Sequence, residues 1–297
     1  AAPRAFLSGT RRPVVPSEVR VEIATRAETL DRVQQPLADR GIEVGYLPTA
    51  GRTRRLDPAS VAETFTVGLV FPSRTMEGGA VSALHGLPWV NGREVVLRSR
   101  NKAGTYARCA RAGLPVPDTR LVSNPADDEA LTAAVEGLDW PVVVKPNSTT
   151  RGIGVTKCHD LDSFLGVADY LSLIHEFPAT GDRSFLVQEY LPEARDYRVM
   201  VVDGAYAGAV ERKSAGGWKH NVHRGAEAVG VDLPAEARQL AEAAATALSA
   251  EWLGVDLLRS DGRWVVNETN ARPTVDNVEK YEAGFYDRMA ALVRRTG

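Results

Sequence analysis

The sequence predicts an α/β lobe followed by α+β lobes, and three observations carry that reading. Short apolar strands alternate with helical periodicity through the early chain, the pattern of a small parallel sheet covered by helices. From Asp139 onward a strand, a Gly-rich loop and another strand follow, as expected of an antiparallel lobe. The chain has 297 residues, more than the roughly 150 of one average domain. The expected units are 1–92, 93–186 and 187–297.

Arg20–Thr25 reads as the first strand, and Ala27, Leu30, Val33 and Leu37 then share one helical face. Pro36 is expected to kink or break that helix. Gly41 ends it, Ile42–Leu47 is a second strand and Val67–Phe71 a third; Gly78–His85 reads as a helix before Pro88–Asn91. No GxGxxG follows the first strand, which argues against dinucleotide binding here. The polar, Arg-rich stretch Asn91–Asn101 reads as a separator between lobes. A helix from Lys102 to Ala112 stops at Gly113, and Pro115 and Pro117 enforce an extended exit. From Asp139 come a strand, a Gly-rich loop and a strand. Further on, strands are expected at Phe185–Tyr190, Tyr197–Val202 and Ala205–Val210. An Ala-rich helix at Ala235–Ala250, a hairpin at Val255–Asn270 and a helix at Tyr281–Arg295 follow.

Apolar residues make up 44% and charged residues 25%, an ordinary globular composition. With 36 basic and 38 acidic residues, the chain lacks the basic excess of a nucleic-acid or membrane-surface binder. No apolar run nears the roughly 18 residues of a membrane span, and the first twenty residues lack a signal-peptide core. Cys109 and Cys158 form no CxxC pair and read as reduced thiols. A cytoplasmic protein is expected. Only six of the basic residues are lysines, Lys102, Lys145, Lys157, Lys213, Lys219 and Lys280, so each one is informative.

Four segments carry chemistry. The hairpin LGVDLLR-SDG-RWVVNETN presents Asp256, Glu268 and Asn270. Glu268 and Asn270, two apart on a strand, share a face. A three-residue Ser260-Asp261-Gly262 loop would pair Asp256 with Val266 and put it diagonal to Glu268. A two-residue Asp-Gly turn would move it to the other face. Oxygen donors without His or Cys suit magnesium or manganese; a solvated polar face would use the same residues. The run PVVVKPNSTTRGIGV delivers Lys145 to a loop ending in Gly152 and Gly154. Such loops admit phosphates, though a flexible hairpin turn would look alike. Taken alone, Gln188, Glu189, Tyr190 and Leu191, followed by Asp196, suit a solvated strand end; a linker whose main chain meets adenine and whose carboxylate meets ribose is the alternative. Glu211–Gly225 concentrates Arg212, Lys213, Lys219, Arg224, His220, His223 and Asn221. No third imidazole or thiolate supports zinc, and a polyanion such as a triphosphate explains the cluster better.

In this order, SRNK (Ser99–Lys102), GLPVPDT, VVVKP…RGIGV, VQEYL…DYR, WKHNVHRG and GVDLL…NETNARP resemble the ATP-grasp enzymes, specifically RimK-like carboxylate–amine ligases. The resemblance runs from about Val67 onward. It implies an ATP-grasp fold, with a small Rossmann-like N-terminal lobe and two lobes sandwiching ATP. It places Lys102, Lys145 and Lys219 on ATP, the main chain of Gln188–Leu191 on adenine, and Asp196 near ribose. It makes Asp256, Glu268 and Asn270 the ligands of Mg2+ (or Mn2+). Asn221 stands beside the phosphates, and Arg198 and Arg212 bind phosphate or the reacting carboxylate. Arg272, where many relatives read EVNANP, and Arg151 in the Gly-rich loop are departures that suit an acidic substrate.

The implied activity is ADP-forming amide synthesis through an acyl phosphate. It joins glutamate, through its side-chain carboxylate or its other one, to an amino acid, short peptide or other small amine. No nucleic acid or membrane partner is expected, and homo-oligomerisation is left open. A small-molecule phosphotransferase on the same fold and a non-catalytic ATP-binding module are the competing readings.

Overall fold

The computed structural model describes residues 19–23, 28–49, 51–61, 65–149, 152–175, 182–213 and 227–297. Three sheets organise them. The first is parallel, ordered β2-β1-β3 from β1 (Val19–Ile23), β2 (Ile42–Tyr46) and β3 (Val67–Val70). Between β1 and β2 runs α1 (Glu28–Ala38), which continues through Pro36 rather than breaking there. Proline cannot donate to the carbonyl four residues back, and that carbonyl, Arg32 O, accepts instead from the Tyr286 hydroxyl at 2.7 Å. A side chain distant in sequence thus fills the gap that proline opens. Tyr286 belongs to the last helix, α8 (Phe285–Thr296). Its apolar side packs with Val33, Leu37 and Val67 of the parallel lobe and with Met200 and Trp252 of the third sheet.

Between β3 and the later sheets lie α2 (Thr75–His85), α3 (Arg93–Arg100) and α4 (Lys102–Arg111). The stretch expected as a polar separator is thus largely helical. Val96 and Ser99 are buried, and the half-buried Arg93, Arg98 and Arg100 donate to the carbonyls of Thr75, Leu248 and Ser73, so the stretch is a packed helix rather than a linker. Asn101 alone joins α3 to α4, and its side chain caps α4 by accepting from Gly104 N at 2.8 Å.

The second sheet is antiparallel, ordered β4-β7-β5-β6 from β4 (Thr119–Ser123), β5 (Val142–Pro146), β6 (Thr156–Cys158) and β7 (Ser184–Glu189). Two helices, α5 (Asp128–Val135) and α6 (Leu161–His175), supply its core with Leu131, Phe164, Ala168 and Leu171. The expected boundary after residue 186 cuts β7, whose residues to Glu189 are paired with β4 and β5. At the other boundary, Val96 and Cys109 of α3 and α4 are buried against the third sheet, so 93–111 packs there.

That third sheet is ordered β10-β9-β8-β11-β12, from β8 (Arg195–Val202), β9 (Ala205–Lys213), β10 (Glu227–Val231), β11 (Trp252–Ser260) and β12 (Arg263–Asn270). One face, with Tyr197, Val199, Val255, Leu257 and Val266, is covered by α7 (Ala235–Leu248) through Ala237, Ala241, Ala244 and Leu248. The opposite face carries the charged residues described next.

Candidate active site

The β11–β12 hairpin turns through two residues, Asp261 (φ 49°) and Gly262 (φ 79°), with Ser260 opposite Arg263. The expected three-residue loop is therefore not used. By itself this register would send Asp256 to the wrong face. A bulge corrects it: Leu257 faces Val266 while Asp256 faces Glu268, leaving Asn267 as the extra residue on β12. Asp256 is thus directly opposite Glu268, and Asn270 is opposite Gly254.

Across the sheet the same face continues. Asp256 faces Arg198 of β8, and Asp196, two residues earlier on β8, faces Arg212 of β9. The Arg198 guanidinium grips the Asp256 carboxylate with two hydrogen bonds, at 2.6 and 2.8 Å. Arg212 reaches Asp196 at 2.6 Å and Asp256 at 2.9 Å. Burial alone would raise the Asp256 carboxyl, but the Arg198 and Arg212 charges outweigh it and hold the group below the usual carboxylate range. Burial pulls both arginines the other way, and Asp256 above all pushes them up. Asp196, expected near ribose, is here an almost fully buried counterion of Arg212.

Along β12, lysines from outside the sheet meet this row. Lys145, on β5, donates to the Asn267 amide oxygen at 3.2 Å and to the Tyr106 hydroxyl at 3.0 Å. Tyr106 in turn donates to the Asn267 carbonyl. The bulged residue is therefore held from both its side chain and its main chain. Lys102, in the first turn of α4, lies 3.3 Å from Glu268 and donates to the Thr149 carbonyl at the start of the Gly-rich loop. Both lysines are more than nine-tenths buried, and a buried ammonium calls for a charged or strongly polar partner. Gly152 and Gly154 have φ of 65° and 78°, and a Cβ at Gly154 would lie 2.7 Å from Pro146, so only glycine fits there.

On β7, Gln188 is buried and donates to Thr119 Oγ1 at 2.7 Å. Glu189 accepts from Arg263 and from Asp118 N, both at 2.8 Å, and its own N–H donates to the Asp118 carbonyl. Tyr190 stacks under Lys157, whose Nζ is 4.6 Å from the ring centroid, and Leu191 is half-buried beyond it. Lys219 and Asn221 lie outside the described residues, as do Arg151, His220, His223 and Arg224.

Among the described residues no three His, Cys, Asp or Glu side chains cluster as a metal centre. The candidate donors are two carboxylates and an amide, all oxygen and all on one face, and this chemistry fits a hard divalent cation. Glu268 is partly open, and the Asn270 oxygen accepts a single hydrogen bond, from Arg272 N at 2.9 Å. Asp256 would have to share its charge with two guanidiniums.

Sequence reasoning missed Asn267, Tyr106 and Arg100. Arg272, which follows the hairpin, donates to the Phe71 carbonyl of the β3–α2 connection. Two arginines of α3 take neighbouring carbonyls: Arg100 donates to Ser73 O of the same connection at 2.7 Å and Arg93 to Thr75 O, at the start of α2, at 3.1 Å. Burial, and then the Arg100 charge, bring Arg272 down to about 10, still a cation at neutral pH. Burial lowers Arg100 as well.

The RimK-like ATP-grasp domain matches residues 99–287, nearly two-thirds of the chain, which includes Lys102, Lys145, Asp196, Arg198, Arg212, Asp256 and Glu268. The chain belongs to the RimK-like ATP-grasp family. It is 34% identical over 194 residues to a probable alpha-L-glutamate ligase from Enterobacter sp. (strain 638), an alignment covering 64% of this chain and 62% of that one. It is 31% identical over 194 residues to the ribosomal protein bS6–L-glutamate ligase of Escherichia coli O139:H28, with the same coverage. The RimK-like chain thus spans about 62% of the length of these curated relatives. Solved structures similar to it include a RimK domain ATP-grasp protein from Sphaerobacter thermophilus (TM-score 0.67, 23% identity, 93% of this chain and 98% of that one). A D-alanyl-alanine synthetase A from Vibrio cholerae is another (TM-score 0.72, 14% identity, 94% and 98%). These likenesses establish the ATP-grasp fold.

Proposed function

We propose that this chain is an ATP-dependent, ADP-forming carboxylate–amine ligase that joins glutamate to the amine of an amino acid or short peptide. The observation that carries the reading is the meeting, on one sheet face, of two carboxylates and an amide with buried lysines from β5 and α4. Opposite charges gathered at such a junction suit a polyphosphate and its cation better than they suit packing.

In the proposed reaction a carboxylate oxygen attacks the γ-phosphorus and the bond to ADP breaks, giving an acyl phosphate. The amine nitrogen then attacks the carbonyl carbon, the bond to phosphate breaks, and the nitrogen loses a proton. The chain's task is positioning and charge neutralisation. Lys102 and Lys145 oppose phosphate charge, with Lys145 oriented by Tyr106 and Asn267. The Gly-rich loop covers the phosphates and excludes water that would hydrolyse the acyl phosphate. Arg198 and Arg212 keep Asp256 ionised and aimed along the row. Lys219 and Asn221 are proposed to add contacts to the phosphates. The Glu189 N–H is committed to Asp118, so adenine pairing is assigned mainly to the main chain of Tyr190 and Leu191. Asp256, Glu268 and Asn270 would hold Mg2+, which when bound balances charge developing on phosphate oxygens.

Supplying ATP and Mg2+ with pairs of amino acids, while following ADP release and product mass, tests the reading. The expected product gains the mass of condensation and appears only when acid and amine are both present. A product that retains the phosphoryl mass would replace ligase with phosphotransferase.

A further inference from the structure

The cations of the site divide by partner. Arg198 and Arg212 lie on carboxylates, Lys102 lies beside Glu268, and Arg195 and Arg263 pair with Glu211 and Glu189. Arg100 and Arg272 pair with no carboxylate among the described residues. Each gives one hydrogen bond to a main-chain carbonyl, Ser73 O and Phe71 O, two residues apart on one connection. Their remaining nitrogens make no hydrogen bond among the described residues, yet are not sealed from solvent. Two half-buried like charges are thereby held side by side with most of their donors unspent. An arginine fork in that state matches a carboxylate in geometry and charge.

Their place along β12 indicates which anion arrives. Asn267 meets Lys145, Glu268 meets Lys102, and Asn270 follows. Arg272 lies four residues beyond Glu268, at most about 13 Å of extended chain. It sits on the side of the parallel lobe, where it donates to Phe71 O, whereas Lys145 comes from the second sheet. A phosphate drawn to the lysines leaves the arginines to another negative group, at a distance that a short dicarboxylate and an arginine side chain together span.

We propose that Arg100 and Arg272 bind the non-reacting carboxylate of a dicarboxylic substrate whose other carboxyl is activated at the phosphate end of the site. This rests on the ligase reading for which carboxyl reacts, but the binding itself does not. The pair also makes the substrate's net charge a basis of selection, because a neutral amide in place of the second carboxylate would leave two cations uncompensated.

Calorimetric titration of the full chain with glutarate and with its monoamide tests the subsite directly. The wild type is expected to bind glutarate at least ten-fold more tightly than the monoamide. Arg272→Asn should bring that ratio to within two-fold, and Arg272→Lys, which keeps the charge without the fork, should retain an intermediate preference. Nucleotide affinity should move by less than two-fold in both variants, which shows that they are folded. If Arg272→Asn does not fold, the wild-type ratio together with Arg272→Lys decides. Equal wild-type affinity for the two probes, or a full preference in Arg272→Asn, overturns the subsite. Glutarate binding without ADP release for any amine would instead sink the ligase reading and leave the subsite standing. ADP release with monocarboxylates but not with dicarboxylates would do the reverse.

Discussion

Two sets of arginines border the same sheet face and are treated oppositely by the fold. Arg198 and Arg212 sit on buried Asp256 and Asp196, and their acidity is suppressed. Arg100 and Arg272 rest on main-chain carbonyls, and burial pulls both down. A guanidinium whose charge is already balanced is part of the frame. One held in place without a counter-charge is prepared to receive one. The difference separates the residues that shape the site from those that await something in it.

The sharpest way to break this contrast lies in the row between them. Glu268, half-open beside Lys102, is assigned to the reaction, so Glu268→Gln should cut kcat at least about a thousand-fold, ~4 kcal/mol of barrier, with an unchanged melting temperature. Near-normal turnover would remove Glu268 from the site. Asp256 belongs to the frame: Asp256→Ala leaves two arginines without their counter-charge and should cost about 3–5 kcal/mol in urea unfolding. A loss below about 1 kcal/mol would show that the row is not structural.

Acid sharpens the same point. The Asp256 carboxyl titrates below its unfolded value of about 3.9, so its contribution is present above that pH. It is lost as pH falls through the lower, folded value. Asp256→Asn should therefore flatten the decline of the urea midpoint below pH 4; an unchanged slope would assign acid unfolding to other carboxylates. The smallest effect is expected at the other set. Arg272→Ala gives up one hydrogen bond to Phe71 O and should cost only about 0.5–1.5 kcal/mol of stability, measured by the same urea titration. A cost like that of Asp256→Ala would make Arg272 a frame residue and erase the contrast.

Much of this was legible in the chain. Alternating apolar residues and Asp-Gly turns mark most strands of the third sheet, and the spacing of Glu268 and Asn270 puts them on one face whatever the turn. The position of Asp256 was not legible. It depends on a bulge at Asn267 held by Lys145 and Tyr106, and no local pattern around residue 267 announces partners more than a hundred residues away. The stretch 91–101 misled because the arginines of α3 are held half-buried by carbonyls distant in sequence, those of Ser73 and Leu248 among them, which no local pattern announces. Pro36 misled for a related reason, since the hydroxyl that completes α1 comes from α8. Arg272 stood out as a departure, but its pairing with Arg100 is set by where the parallel lobe docks.

The bond from Tyr286 to Arg32, and the packing of α8 on α1 and β3, also bear on how this chain emerges from the ribosome. The parallel lobe is translated ahead of the other two sheets, yet it lacks one of its covering helices until residues near 296 have left the exit tunnel. The other two sheets have most of their cores by then, so of the three sheets the one made ahead of the others is the last to be sealed.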